Sequence, residues 1–160
     1  MDANLTREHM ARLLAEENTA LADFESLLDR EHAALKSRDI DALEALADSR
    51  QDSVTRMLKL EDERRSMCGM HGYDTDLTGL AKLIAWCDPR RTLAAAYDEC
   101  AVRARRCRDL NDRNGILVGA QMKRVEGLLG AITGTPAQRS YGPRQAAFYG
   151  GAGQVISAEA

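Results

Sequence analysis

Residues 10–37 read MARLLAEENTALADFESLLDREHAALKS. Leu14, Leu21, Leu28 and Leu35 recur at steps of seven, and Met10 and Phe24 fill the intermediate positions. This spacing puts one apolar stripe along a helix and is the spacing of coiled-coil seams. A long amphipathic helix is expected from about Asn4 to Ser37. Glu17 and Glu31 interrupt the stripe, which suits a short bundle better than a rigid zipper.

Working outward, Ser37-Arg38-Asp39-Ile40-Asp41 reads as a break or tight kink, and Asp41 with Glu44 has the spacing of a capping box. A second stripe follows at Leu43, Leu46, Val54, Met57, Leu58 and Leu60, ending at Gly69-Met70-His71-Gly72-Tyr73. Thr75 or Asp76 is placed to cap a short third helix carrying Leu77, Leu80, Leu83, Ile84 and Trp86. Asp88-Pro89 predicts the start of a fourth. That helix has a seam at Leu93, Tyr97, Cys100, Ala104, Cys107, Asn111, Asn114, Val118, Gln121 and Val125, whose later polar members weaken the core it can form alone.

Composition agrees with helices. Hydrophobic residues are 44% of the 160, yet aromatics are only 4%, and Leu and Ala dominate where sheets favour branched and aromatic side chains. The fold class expected is all-α, an elongated antiparallel helical bundle or hairpin with coiled-coil-like seams and a flexible C-terminal tail. The division expected is a helical domain over 1–132 and a Gly/Pro-rich tail over 133–160. The tail holds five of the twelve glycines and two of the three prolines, with spaced anchors at Tyr141, Phe148, Tyr149, Val155 and Ile156.

Mixed charges at 29% and a net charge of −3 give no basis for a nucleic-acid binder. The arginines of 103–108 point around their helix among Asp98, Glu99, Asp109 and Asp112, which reads as a salt-bridged surface. No apolar run approaches the roughly 20 residues that span a bilayer, and the first residues lack a secretory layout, so a cytoplasmic location is expected. His9, His32 and His71 are isolated, no Glu-x-x-His or His-Glu-x-x-His occurs, and Cys68, Cys87, Cys100 and Cys107 form no CxxC pair. Cys68 and His71 are three apart, but no second pair of ligands lies at zinc spacing. Neither catalysis nor a metal or cofactor is expected. Cys100 and Cys107 read as buried seam residues.

Between Asn114 and Ile132 lie Gly115, Gly119, Gly127 and Gly130, each costing about 1 kcal/mol of helix propensity relative to Ala. The same stretch is rich in apolar residues. Either the glycines let another helix of the bundle approach closely, or the segment is marginal alone and is stabilised by docking a partner's helix. The second reading is preferred, with Leu117, Val118, Met122, Val125, Leu128, Leu129 and Ile132 as the binding groove.

Three passages in order resemble the FlgN family of flagellar export chaperones across essentially the whole chain. They are Ala34-Leu35-Lys36-Ser37-Arg38-Asp39 leading into Ile40-Asp41-Ala42-Leu43-Glu44, then Leu110-Asn111-Asp112-Arg113-Asn114-Gly115, then the tail with Tyr141-Gly142-Pro143 and a terminal Val155–Ala160. The stretch from Met67 to Asp76 and the glycine-rich part of the tail depart from the pattern. The resemblance implies a non-catalytic chaperone that binds the C-terminal helices of hook–filament junction proteins and brings them to the flagellar type III export gate. It implies that Tyr141 touches that gate. A self-associating coiled-coil scaffold, using the seams of the first and fourth helices, is the alternative that the residues leave open.

Overall fold

The computed structural model describes residues 2–133, with side chains through Ala131. Four helices occur in order: α1 (Ala3–Ser37), α2 (Ile40–Met70), α3 (Leu77–Cys87) and α4 (Ala94–Thr133). No strand occurs among the described residues, and the all-helical bundle expected is what the chain forms. The segment expected to be a tail lies outside the described residues apart from Thr133, which ends α4. Tyr141 lies outside them as well.

The helix α1 contains neither Gly nor Pro and starts at Asp2, whose carboxylate accepts from the Asn4 N–H at 2.9 Å. It stops at Arg38, held in the left-handed region at φ 54°, where the cap N–H reaches the carbonyls of Ala34 and Leu35. The next residue opens α2: the Asp39 carboxylate accepts from the Ala42 N–H at 3.0 Å. The two helices are therefore separate. The cap is Asp39, not the Asp41–Glu44 box, because a cap residue must be extended and Asp41 is already inside the first turn.

From this turn α2 runs back along α1. Thr6 meets His71, Glu17 meets Arg64 and Glu31 meets Arg50, an antiparallel hairpin. Met57 and Leu60 are buried, while Leu58, assigned to the same stripe from sequence, is exposed. One helical residue rotates the chain by about 100°, so Leu58 turns outward beside Met57. At the far end Gly72, at φ 75°, turns the chain, and Asp76 caps α3 by accepting from the Gly79 N–H at 2.8 Å. A Cβ at Gly79 would lie 1.7 Å from the Asp74 carbonyl oxygen, so only glycine fits that turn.

The fourth helix begins at Ala94 rather than at Pro89. Arg91 is left-handed at φ 56°, which no α-helix can absorb, and residues 88–93 form a turn instead. The buried Asp88 carboxylate holds that turn, accepting from the Thr92 N–H, the Thr92 hydroxyl and the Leu93 N–H at 2.7–3.0 Å. Burial pushes its carboxyl up, yet these bonds and the nearby Arg7 charge outweigh burial and hold it below its usual range.

Against α1, α4 runs parallel. Cys100, Cys107, Asn114 and Gln121 donate to the carbonyls of Leu14, Leu21, Leu28 and Leu35, always with the same offset of 86 residues. One constant offset at steps of seven is the signature of two parallel helices in unbroken heptad register. The core lies between the four helices, from Met10 through Leu28 on α1 to Met57 and Met67 on α2, Leu80 and Leu83 on α3, and Cys107 on α4.

Glu17 and Glu31 do not interrupt the α1 stripe; they are buried in it. Glu31 receives two bonds from the Arg50 guanidinium, at 2.7 and 2.8 Å, and a third from Asn114 at 3.1 Å. Arg50 also donates to Asn111 at 2.8 Å and lies over the Phe24 ring. The late polar members of the α4 seam thus join three helices through hydrogen bonds rather than weakening the contact. Glu17 is held more loosely, 3.8 Å from Arg64, which also pairs with Glu61. Burial is the larger influence on Glu17 and pushes its carboxyl up to about 7, with Arg64 pulling down and Glu61 pushing up.

Candidate functional site

Among the described residues, the upper part of α4 carries exposed apolar side chains at Val125, Leu128 and Leu129. Gln121, whose side-chain amide donates to the Leu35 carbonyl at 2.7 Å, is the last α4 side chain among the described residues to hydrogen-bond another helix. α1 ends at Ser37, level with Lys123 in the register of the Gln121–Leu35 bond, so residues 124–133 run on past the hairpin turn for roughly 15 Å at 1.5 Å per residue. Exposure rises along the seam in step. Asn114 is 0% exposed, Val118 and Met122 are half-buried, Val125 is 47% exposed, and Leu128 and Leu129 are 61% and 51% exposed.

Of the residues assigned from sequence, Leu117, Val118 and Met122 flank the last contact with α1, and Val125, Leu128 and Leu129 lie above it. The Ile132 backbone is helical, and its side chain lies outside the described ones. The arrangement is one face of a projecting helix rather than a closed groove. Gly119 and Gly127 have open space where a Cβ would stand, so neither serves close helix packing within the chain. At 100° per residue both fall on the side away from Val118 and Val125. What these glycines do is lower the helix propensity of the projecting segment.

Sequence reading missed Ile40, which is 68% exposed on the hairpin turn at the level where α1 ends. An isoleucine at the first position of a helix, outside the α2 stripe, was the available signal. It also missed an apolar cluster at the opposite end of the bundle. There the His71 ring lies tilted at 49° against the exposed Trp86 ring, centroids 5.1 Å apart, and shares a 3.2 Å hydrogen bond with Thr6.

Elsewhere the side chains serve the fold. All four cysteines are free and buried, and burial pushes the Cys100 and Cys107 thiols up to about 12, far from the thiolate that nucleophilic chemistry needs. No group of three His, Cys, Asp or Glu side chains among the described residues is placed to hold a metal ion. Arg103 pairs with Glu99, Arg106 with Glu25 and Arg113 with Asp29, the salt-bridged surface expected. A cleft of about 390 Å³ between α3 and the start of α4 is walled by Ile84, Ala85, Ala94 and Tyr97, with Arg91 and Asp98 at its rim. None of the described helices is long and apolar enough to cross a membrane.

The family model described as FlgN protein matches residues 1–147. The chain belongs to the FlgN family. No curated protein and no solved structure matches it. FlgN is a family of flagellar export chaperones rather than of enzymes, and membership implies binding of hook-associated proteins in general. For this FlgN-family chain the match spans all four helices, the projecting part of α4 included.

Proposed function

We propose that this FlgN-family chain is a cytoplasmic chaperone that holds the C-terminal helix of a hook–filament junction protein on the upper part of α4. It keeps that subunit unassembled and brings it to the flagellar type III export gate. The observation that carries this reading is the run of Val125 and Leu128, exposed on a helix weakened by glycine, beyond the point where α1 ends. A subunit's amphipathic terminal helix needs an apolar helical face to dock on. Delivery also requires release, and ordering a marginal segment on binding lowers affinity in that direction.

Calorimetric titration with C-terminal helical segments of hook–filament junction proteins, with circular dichroism of the same mixtures, tests the proposal. One-to-one saturation with a gain in helicity is expected. Changing Val125 and Leu129 together to Asp should abolish binding and leave the lower helices folded; normal binding by that variant would move the site elsewhere. At the gate, Tyr141→Ala should impair delivery without changing client affinity. A self-associating scaffold would need the α1 seam, but Leu21 and Leu28 are buried within the chain itself, which leaves that reading only the upper α4 face. Concentration-dependent light scattering without a client would revive it.

A further inference from the structure

The seam of α4 is one track, packed on α1 below and increasingly exposed above among the described residues. Over the lower part it faces α1, in the register fixed by Cys100, Cys107, Asn114 and Gln121. Above Gln121 the same face continues as Met122, Val125 and Leu128. A helix does not change which face it presents part-way along without a kink, and α4 is a single continuous helix from Ala94 to Thr133. Whatever covers the upper track therefore lies where α1 would lie had it not ended.

We infer that the partner's helix stacks end-on over the last turn of α1 and carries the α1–α4 coiled coil onward. The inference rests on the proposed client-binding role of this segment. Three observations specify the occupant. The first is continuity: the track runs straight out of an interface whose spacing and register the lower half already sets. The second is length, since a track of roughly 15 Å seats just under three helical turns of the partner. The third is the floor of the site, where α1 closes at Arg38 and Ile40 stands exposed beside the turn, an apolar contact for the end of an incoming helix.

The chemistry of the track also changes at this point. The position one heptad beyond Gln121 is Leu128, so the series of side chains that donate to α1 carbonyls stops where α1 stops. The occupant is held by apolar packing, with Arg124 on one flank of the stripe and Leu129 on the other. It is thus an amphipathic helix with aliphatic residues at alternating steps of three and four and an acidic residue facing Arg124.

Photo-crosslinking of the full chain with a synthetic C-terminal helical peptide of a hook–filament junction protein tests this placement. A benzophenone side chain is installed in separate proteins at Ile40, at Val125, at Leu58 on the outer face of α2, and at Gly127 on the back of α4. Crosslinks from positions 40 and 125 and none from 58 or 127 are expected. Crosslinking from 125 but not from 40 would overturn the end-on placement and leave the client reading standing. No saturable binding of the peptide to the unlabelled chain would overturn both. Ile40→Asp, at a position exposed enough to leave the fold intact, gives an independent reading: peptide affinity should fall about tenfold. Unchanged affinity would overturn the placement.

Discussion

The two parts of α4 are made of one helix and treated in opposite ways. Up to Gln121 its seam is tied to α1 by a donor at every seventh residue, and Asn111 and Asn114 are sealed into a network with Glu31 and Arg50. From Met122 onward the described seam is purely apolar and progressively exposed, and Gly127 has open space where a Cβ would stand. Polar groups appear where a partner is permanent, because buried hydrogen bonds fix register and leave a large penalty if broken. Apolar groups alone appear where the seam is left open, because they tolerate solvent and accept a partner without demanding matched donors. On the proposed function, the difference separates a structural interface from one that opens and closes.

The contrast breaks most severely at Arg50. Arg50→Ala leaves Glu31 buried without its guanidinium and should cost about 3–5 kcal/mol of stability in urea denaturation, far more than any substitution above Gln121. A change within about 0.5 kcal/mol would mean that the network is ornamental.

The lower part also has a weaker joint at Glu17. Its folded carboxyl titrates near 7 against 4.5 when unfolded, so the folded state binds the proton more tightly. The stability this contributes is fully present below pH 4.5 and is lost as pH rises through 7. By about 1.4 kcal/mol per unit, the chain should be up to about 3 kcal/mol less stable at pH 8 than at pH 4.5 from this group alone. Glu17→Gln should remove that slope, measured as urea midpoints across the pH range. A slope equal to wild type would assign the dependence to other groups.

Smaller effects sharpen the upper part. Gly127→Ala, where no atom opposes the new methyl, should stabilise the projecting helix by about 1 kcal/mol. It should be visible as added helicity by circular dichroism, with less helicity left to gain when a client helix is added. The smallest expected change in stability is that of Val125→Asp, within about 0.5 kcal/mol because the side chain is half in solvent already, measured by thermal unfolding. A large loss there would show that the upper track is packed in solution.

Much of the fold was legible in the residues. The Leu14–Leu35 repeat, the absence of Gly and Pro from α1, and Asp76 as a cap are local signals, and each element formed within a few residues of where they put it. The upper α4 surface was legible as well, because a surplus of apolar side chains on a glycine-weakened helix is a property of sequence alone. The two buried glutamates were not. Glu31 on the stripe reads as an interruption until Arg50, 19 residues away, and Asn114, 83 residues away, are brought beside it.

The sequence by itself determined that four helices would form and, Leu58 and the two glutamates apart, the apolar face along which α1 and α2 would be buried, since helical periodicity and capping depend on neighbours a turn away. Only the tertiary structure decided that α4 runs parallel to α1, that Asp39 rather than Asp41 opens α2, and that the α4 seam outlasts its partner. A heptad pattern states that a face needs covering, but it carries no information on which helix covers it, in which direction, or how far. Those are settled by contacts 86 residues apart and by the length at which α1 happens to turn.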